Sequence, residues 1–449
     1  MSAGEVQWDM IVLITSLACC IALSAPQGAR QPALSDARLL DEVERRAIRY
    51  FWEKSDPHTG LANDRARNDG MDSGKDTYTV ASIASTGYAL AALPIAVERG
   101  WAARGKAEQR ALLTLHFVLE KMPHVHGWLY HFIDGRTGQR VWNSEISTVD
   151  TSLLVAGALV CGQFFGDPVR KLANTLYERL DWTWMRTNGG ERPAKLMVSH
   201  GWTPEKGFIP NNWDSYCELM LLYLLGMGGK RDPLPAASWQ AWKRPTYTYD
   251  GIETLAGGPI FMHQMAHAYY DFRDRRDSLG YDYLVSSVNA TRINRQFCID
   301  NADHRKTYGP DVWGLNASDG PDGYRAYGVP EPEDGTVSPT GAIASILFAP
   351  KLAISAAQAM FTRYGDRIWG RYGFADSFNV DRQWFDADVI GIDLGMAMLA
   401  IENHRTRRIW KLLQSHYSTK RALAAAGLHR TSEPAPRPLR RAETLSGPP

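Results

Sequence analysis

The apolar positions of this 449-residue chain recur mostly every three to four residues, which is the spacing of one face of an α-helix. Few segments alternate apolar and polar residues as a half-buried strand would. Two short strand-like pieces, 127–134 and 195–202, are expected to form hairpins in loops. The helical pattern predicts twelve helices, at 35–53, 79–99, 105–122, 147–165, 167–182, 214–228, 259–273, 280–299, 338–350, 352–365, 388–402 and 404–417.

Several of these segments are rich in small residues, as in "STVDTSLLVAGALV" and "PTGAIASILFAP", which favours a close approach of helices. The loops between them are long and rich in Gly, Trp, Asp and Pro, and neither a repeat nor a domain boundary is visible. We therefore predict an all-α fold, a single (α/α)6 toroid of paired helices over residues 31–428, with long aromatic- and Gly-rich loops. Its active site is expected in the loops at one end.

The two ends of the chain differ from this pattern. Residues 10–25 form an apolar run of signal-peptide length, and Ala22-Leu23-Ser24 is an acceptable cleavage site, although no Lys or Arg precedes the run. We predict a leader over residues 1–30 and a periplasmic or extracellular location, with a buried segment or a lipid anchor at Cys19 as alternatives. No other segment is predicted to span a membrane. Residues 429–449 are rich in Pro and Arg and are predicted to be a disordered tail.

Composition excludes some classes of protein. The formal net charge is +1 and no basic block lies in the body of the chain, so a nucleic-acid partner is not expected. Aromatic content is 11%, and many rings lie beside Gly, Asp, Asn or Pro, where they suit either sugar stacking or packing under loops. Without the leader, Cys161, Cys217 and Cys298 remain, and this odd set without a CxxC pair predicts neither disulfides nor zinc. No cofactor is predicted, and a monomer is expected.

Acidic residues precede two of the most apolar helices. In "VWNSEISTVDTSLL" (141–154), Ser147-x-x-Asp150 matches a capping box, whereas Glu145 lies outside it. Ser215-x-x-Glu218 matches a second capping box. Asp150 and Glu218 can therefore be explained structurally, as helix-capping residues. Glu145 can be explained structurally as a solvated acid in a loop. The alternative is chemical, because glycoside hydrolysis requires a pair of carboxylates.

Further candidates lie in polar and aromatic segments. His263 and His267 are four residues apart on one predicted helix face, but the Glu of an HExxH zinc motif is missing, so no metal is predicted. Two roles remain for these histidines: they donate hydrogen bonds to sugar hydroxyls, or they brace the interior of the barrel. The loops 56–65, 308–328 and 369–379 combine Asp and Asn with Trp and Tyr, a combination that suits a polyhydroxylated ligand.

Together these segments resemble the glycoamylase-like domain family, which includes the endo-β-1,2-glucanases of glycoside hydrolase family 144. The resemblance covers about residues 36–417 and rests on motifs that occur in order, among them "SEISTVDTSLLVAGAL", "NNWDSYCELMLLYLLGMG", "GGPIFMHQMAHAYYDFR" and "DVWGLNASDGPDGYRAYG". It implies an (α/α)6 barrel, secretion, and metal-independent, inverting hydrolysis of β-1,2-glucan. The alternatives are a transglycosylase related to the module of cyclic β-1,2-glucan synthases, a non-catalytic glycan-binding protein, and a lyase.

The resemblance also implies roles for individual residues. Glu145, Asp150 and Glu218 match acidic positions of the family's active site, and we assign one essential role to Glu218 and the other to Glu145 or Asp150. Cys217 departs from the family pattern, in which Asn or Asp is expected before the Glu. The residues expected to contact the sugar are Asp64, Arg65, His263, His267, Trp313, Tyr327 and Asp376.

Overall fold

A computed structural model describes residues 34–71, 78–330 and 332–431. The predicted leader (1–30) and residues 432–449 of the predicted tail lie outside the described residues. Within the described ranges the fold is rich in helices, as predicted, and the strands are short. The helices are α1 (Asp36–Glu53), α2 (Ile83–Glu98), α3 (Arg104–Glu120), α4 (Thr148–Phe165), α5 (Val169–Glu178), α6 (Trp182–Thr187), α7 (Leu219–Gly228), α8 (Ala237–Ala241), α9 (Met265–Tyr269), α10 (Tyr283–Asp300), α11 (Pro339–Ala344), α12 (Pro350–Ile368), α13 (Gly391–Thr406), α14 (Arg408–Ser415) and α15 (Tyr417–Ala425).

The twelve predicted helices all have a helical counterpart, but two of them are broken. The predicted helix 259–273 is a 3₁₀ turn at Ile260–His263 followed by the short α9, and the predicted helix 338–350 is α11 followed by a 3₁₀ turn at Ser345–Leu347. The prediction missed the short helices α6, α8 and α15. α6 and α8 have only six and five residues, too few to show a clear helical period in sequence.

Four helices, α2, α4, α7 and α13, are buried on nearly all sides, which is why their sequences are apolar all round. The packing runs in a closed circuit from α2 to α4, α7, α9, α13 and back to α2, and α11 packs against α13. Amphipathic helices such as α1 and α5 cover this inner set from outside. The circuit brings the starts of the inner helices together around one space.

Helices α2 and α4 touch through their backbones. A Cβ atom on Gly157 would lie 1.9 Å from the carbonyl oxygen of Gly87, and a Cβ atom on Gly87 would lie 2.4 Å from the carbonyl oxygen of Leu153. Only glycine permits this approach, since any larger side chain would collide with main-chain atoms. The contact fixes the positions of these two helices relative to each other.

Helix α4 is also long and apolar enough to cross a membrane by length and composition, contrary to the prediction that no segment beyond the leader has this property. Most of its residues are buried inside the described fold, where α2, α5 and α7 surround it. An inner helix needs an apolar surface on every side, and this gives it the composition of a membrane span. Helix α4 is therefore one of the core helices of this fold.

Most of the strands form two-stranded antiparallel pairs in the loops. The ladders join β1 to β18, β2 to β5, β3 to β4, β9 to β10, β11 to β19, β12 to β13, β14 to β15 and β16 to β17, while β6, β7 and β8 form a three-stranded sheet. The strands are β1 (Arg65–Arg67), β2 (Val80–Ser82), β3 (His124–Val125), β4 (Trp128–Leu129), β5 (Phe132–Asp134), β6 (Ile146–Ser147), β7 (Gly201–Thr203), β8 (Gly207–Phe208), β9 (Thr246–Tyr249), β10 (Ile252–Leu255), β11 (Arg275–Arg276), β12 (Ala317–Ser318), β13 (Arg325–Ala326), β14 (Trp369–Gly370), β15 (Gly373–Phe374), β16 (Phe378–Asn379), β17 (Trp384–Phe385), β18 (Asp388–Ile390) and β19 (His429–Arg430).

Three of these strands lead directly into inner helices: β2 into α2, β6 into α4, and β18 into α13. Each strand is held by a partner, so the first turn of the following helix starts from a fixed point. The strand-like piece 127–134 contains β4 and β5, which pair with β3 and β2 instead of with each other. At the C-terminal end, β19 pairs with β11, so the ordered chain continues past the predicted start of the tail at residue 429.

Candidate active site

A cavity of about 310 Å³ lies among the first turns of the inner helices. Its wall includes four carboxylates, from Asp64, Asp150, Glu218 and Asp393. Two basic side chains, Arg65 and His131, and the aromatic rings of Phe132, Phe261 and Tyr324 complete its polar and stacking surfaces. Several titratable groups thus converge on a space of the size that small-molecule sites have.

A second and larger cavity, of about 970 Å³, adjoins the first. It is lined by the loop 210–218 and by 256–259, with the ring of Trp213 stacked on that of His200 at a centroid distance of 3.9 Å. Glu218 lines both cavities and therefore lies between them. A chain-like ligand that occupies both cavities would pass this carboxyl group.

Glu218 immediately precedes α7, in helical backbone conformation, and its side chain makes no capping bond. The predicted capping box at Ser215 is therefore wrong: Ser215 pairs with Lys243, from a distant loop, in an isolated bridge. Among the described residues, Glu218 Oε2 has no hydrogen-bond partner although it is buried. Burial raises the pKa of Glu218, while a hydrogen bond with Cys217 and a main-chain hydrogen bond oppose the rise. The site favours the protonated acid.

Asp150 lies in the first turn of α4, and the cap predicted there is confirmed. Ser147 is the N-cap, its Oγ accepts from the Asp150 N–H at 3.4 Å, and the same hydroxyl donates to Asp150 Oδ2 at 2.5 Å. The acid thus reaches back to the serine hydroxyl instead of the serine backbone. The side chain is nearly buried and lines the smaller cavity. The Ser147 hydroxyl and the N-terminus of α4 both face this carboxyl group.

His131 bridges two of the predicted acids. Its Nδ1 lies 3.0 Å from Glu145 Oε1 and its Nε2 lies 3.6 Å from Asp150 Oδ2, while its ring stacks on Phe132 at a centroid distance of 3.8 Å. Both nitrogens face carboxylates, so the ring needs a proton on each. Burial lowers the pKa of His131, but Asp150 and Glu145 outweigh it and raise the value to about 9.

Glu145 contacts the other side of His131 and is not among the described residues that line the cavity. Burial raises its pKa, but the hydrogen bond and charge of His131 lower it further, so the net shift is downward and the group is ionised. The structure therefore separates the two acids of "SEISTVD": Asp150 faces the cavity, and Glu145 holds the histidine that touches Asp150. No sequence motif marks His131, and its role was not predicted.

Asp64 and Arg65 lie on the cavity wall, where the sequence analysis expected sugar-contacting residues. Arg65 Nη1 lies 2.8 Å from Asp319 Oδ2, and Arg65 Nε lies 3.4 Å from Asp64 Oδ2. Burial raises the pKa of Asp64, and Arg65 opposes that rise. Pairing of β1 with β18 places Arg65 opposite Ile390, so this group lies beside the start of α13.

Asp376 and Asp393 form a buried acidic pair next to that group. Asp376 Oδ2 accepts from the Asp319 N–H at 2.8 Å, and Asp393 Oδ1 accepts from Asn316 Nδ2 at 3.1 Å. Burial raises the pKa of Asp393 to about 7, and burial together with the charge of Asp393 raises the pKa of Asp376. Asp393 lines the cavity and was missed, although it occupies the same third helical position as Asp150.

The remaining predicted residues lie in the core. His263 Nδ1 lies 3.0 Å from the Tyr216 hydroxyl and His267 Nε2 lies 3.1 Å from Ser287 Oγ, and burial lowers the pKa of both histidines to about 3. Trp313 and Tyr327 are also buried. None of the four is among the described residues that line either cavity. Of the two roles considered for the histidines, bracing of the interior agrees with this placement.

Two clusters of three side chains each have donor atoms that lie within 4.8 Å of one another inside the cluster. One cluster is His131, Glu145 and Asp150, and the other is Asp319, Asp376 and Asp386. In each group a basic side chain already contacts a carboxylate, His131 in the first and Arg65 in the second. Side chains of the protein therefore supply positive charge at both places.

Comparison with known proteins decides the family. The glycoamylase family model, described as "Putative glucoamylase", matches residues 210–417. The crystal structure of a "putative glucoamylase" from Bacteroides fragilis is 30% identical, covers 89% of this chain and 98% of its own, and superposes with a TM-score of 0.80. The chain belongs to the glycoamylase family. This confirms the family that the motifs predicted.

Two other relatives of this glycoamylase-family protein have more specific names. An endo-β-1,2-glucanase from Chitinophaga pinensis, solved with sophorotriose and glucose, is 26% identical, with a TM-score of 0.80 over 88% of this chain and 99% of its own. An exo β-1,2-glucooligosaccharide sophorohydrolase (non-reducing end) from Parabacteroides distasonis is 29% identical over 87% of this chain. The chain spans only 58% of the length of that curated relative.

Proposed function

We propose that this protein is a glycoside hydrolase that cleaves β-1,2-glucan, with Glu218 as the general acid. The observation that carries the proposal is the position of Glu218 between two cavities, where burial favours its protonated form. A proton donor at that point can serve a glycosidic oxygen whose sugar rings occupy both sides. The β-1,2 linkage is supported by the names of the relatives from Chitinophaga pinensis and Parabacteroides distasonis.

In the proposed reaction, Glu218 protonates the glycosidic oxygen as the bond to the anomeric carbon breaks. A carboxylate on the opposite wall removes a proton from the attacking water, and an inverting reaction needs about 6.5–9.5 Å between the two carboxyl groups. Asp150 and Asp393 both line the smaller cavity and are the two candidates for this base. Asp150 accepts a hydrogen bond from Ser147 and faces His131, whereas burial raises the pKa of Asp393 to about 7. We therefore favour Asp150 as the base.

The proposal extends to the fold and the location. Six inner helical segments, α2, α4, α7, α9, α11 and α13, with the outer helices around them, are consistent with an (α/α)6 toroid. The apolar run at residues 10–25 supports export to the periplasm or exterior. We expect the exported protein to act as a monomer, and light scattering of the purified chain checks this.

Incubation with a panel of β-glucans of defined linkage, with products separated by size, tests the function. Cleavage of β-1,2-glucan is expected. Cleavage of only β-1,3- or β-1,4-glucan would show that the proposed linkage specificity is wrong. NMR of the first-formed product tests the stereochemistry, since an inverting hydrolase releases the α-anomer from a β-linked glucan. A retained configuration would instead identify a retaining hydrolase or a transglycosylase.

Glu218→Gln tests the acid. We expect kcat to fall at least about 100-fold, the contribution typical of general acid catalysis, with an unchanged circular dichroism spectrum. Glu120→Gln is the control, because Glu120 is exposed at the end of the outer helix α3. Equal activities of the two variants would remove Glu218 from the mechanism. Azide added to Asp150→Asn and Asp393→Asn identifies the base, since rescue is expected only in the variant that lacks it.

A further inference from the structure

Trp142 is an exposed tryptophan with no evident structural role. The residue is 54% accessible, which places it with Met71, Leu279, Val285 and Tyr324 among the exposed large apolar residues of the described chain. A ring of this size normally lies in the core or at an interface, since its exposure to water is unfavourable. Folding alone does not account for a tryptophan at this position.

The backbone at Trp142 is also unfavourable. Trp142 has φ 55° and Asn143 has φ 50°, so two consecutive residues other than glycine occupy the left-handed region. Asn tolerates this conformation because its short amide can bond locally, but a bulky aromatic residue rarely adopts it. Strain of this kind is kept where the surrounding structure enforces it, and it is a reason to look for function.

Arg140 enforces the turn. Its Nη2 donates to the carbonyl of Asn143 at 2.6 Å and its Nε donates to the carbonyl of Ser144 at 2.5 Å. The same guanidinium is held by both carboxylate oxygens of Glu205, at 2.6 and 3.0 Å. The turn closes with a bond from the Ser144 N–H to the carbonyl of Val141 at 3.0 Å. The backbone that carries the indole is therefore fixed at the surface.

The indole continues the wall of the smaller cavity outwards. Its ring centroid lies 5.2 Å from that of Phe132, which lines the cavity and stacks on His131. Beside the turn, the exposed carboxylate of Glu205, which binds Arg140, gives the surrounding surface a polar group that can accept from hydroxyls. An isolated flat ring with a polar rim matches one pyranose, which has an apolar C–H face and hydroxyls around its edge. A protein partner would instead need a contiguous patch of several hundred Å².

We propose that Trp142 is a stacking platform for a sugar unit of the glucan chain that lies outside the cavity. The proposal rests on the proposed glycan hydrolysis and adds a binding subsite to it. Substrates long enough to reach the platform gain a contact that short substrates lack. The platform therefore contributes to binding of long chains and takes no part in bond cleavage.

Kinetics of Trp142→Ala on a ladder of glucan oligosaccharides test this, with whichever β-linkage the panel shows to be cleaved. For the longest oligosaccharides and the polymer we expect KM to rise about three- to tenfold, with kcat unchanged. For the shortest cleaved oligosaccharide both constants should stay at wild-type values. Trp142→Phe, which keeps a flat ring, should recover most of the KM. Leu279→Ala, which removes another exposed apolar side chain, is the control and should match the wild type.

If the KM of Trp142→Ala rises equally for short and long substrates, or does not rise for any substrate, the proposed stacking role of Trp142 is wrong. Binding is measured separately in the Glu218→Gln background by calorimetry, where loss of Trp142 should weaken only the long oligosaccharides. If the wild type cleaves no β-glucan, the proposed hydrolysis fails. In that case the same titrations still test whether Trp142 binds a sugar unit. Length-dependent binding that requires Trp142 would support the proposal, and binding that does not depend on Trp142 would refute it.

Discussion

Replacement of His131 by Asn tests whether the bridge between Glu145 and Asp150 carries a positive charge. In the folded protein the two carboxylates raise the pKa of His131 to about 9, whereas an unfolded histidine titrates near 6.5. A group whose pKa is higher in the folded state stabilises the fold in full below its unfolded pKa. That stabilisation is lost as the pH rises through the folded pKa.

The size of the effect follows from the pKa difference. At about 1.4 kcal/mol for each tenfold change in proton affinity, a rise from 6.5 to about 9 corresponds to roughly 3 kcal/mol of folding free energy. The side chain is 26% exposed, so solvent screens only part of this interaction. His116, which pairs with Glu120 on the surface and is 52% exposed, should contribute less than about 1 kcal/mol.

The assay is urea unfolding of the wild type, His131→Asn and His116→Asn at about pH 6 and about pH 10. We expect His131→Asn to be destabilised by about 3 kcal/mol more at the lower pH than at the higher one. The His116 control should change by less than about 1 kcal/mol between the two conditions. A destabilisation of His131→Asn that is equal at both pH values would show a neutral ring, and the charged bridge would be refuted.

Two further predictions concern Cys217 and the helix contact. Cys217→Ala removes a hydrogen bond that lowers the pKa of Glu218, so the alkaline limb of the profile of kcat against pH should move to higher pH, and an unmoved limb would contradict the contact. Gly157→Ala places a methyl group against the carbonyl of Gly87 and should lower the unfolding free energy by about 3 kcal/mol. Gly105→Ala, in open space in α3, should instead raise it by about 0.5–1 kcal/mol, and equal effects of the two changes would refute the contact.

The sequence predicted what local patterns determine. Helix α1 follows from its amphipathic period, and the Ser147 cap of α4 follows from a pattern of four adjacent residues. The same pattern at Ser215 failed because main-chain bonds of Asp214 and Tyr216 with Lys243, from a remote loop, hold this segment in a bridge. The helix begins only after Glu218, which is itself the N-cap. Local sequence gives no sign of this bridge. The helix predicted at 259–273 ends early, at Tyr269. The carbonyls of His267 and Ala268 accept there from Trp410 and Asn403, which are remote in sequence.

The site could be predicted only in part, because it is formed by residues that are far apart in the sequence and meet only in the folded protein. Glu218 and Asp150 were found through their motifs, and the cavity does bring them together. Asp393 was missed because its closeness to Arg65 depends on the pairing of β1 with β18, strands from opposite ends of the chain. His131 was missed because a lone histidine in a strand-like piece carries no motif.

Asp150 and Asp393 share one feature with a practical consequence: each lies in the first turn of a buried inner helix. The backbone N–H groups at these helix ends carry fixed partial positive charges, and dissolved ions reach such buried positions poorly. Added salt should therefore screen these two acids little. An enzyme that works outside the cell meets salt concentrations that the cell does not control. If the proposed export holds, activity that depends on these two acids should change little between low and high salt.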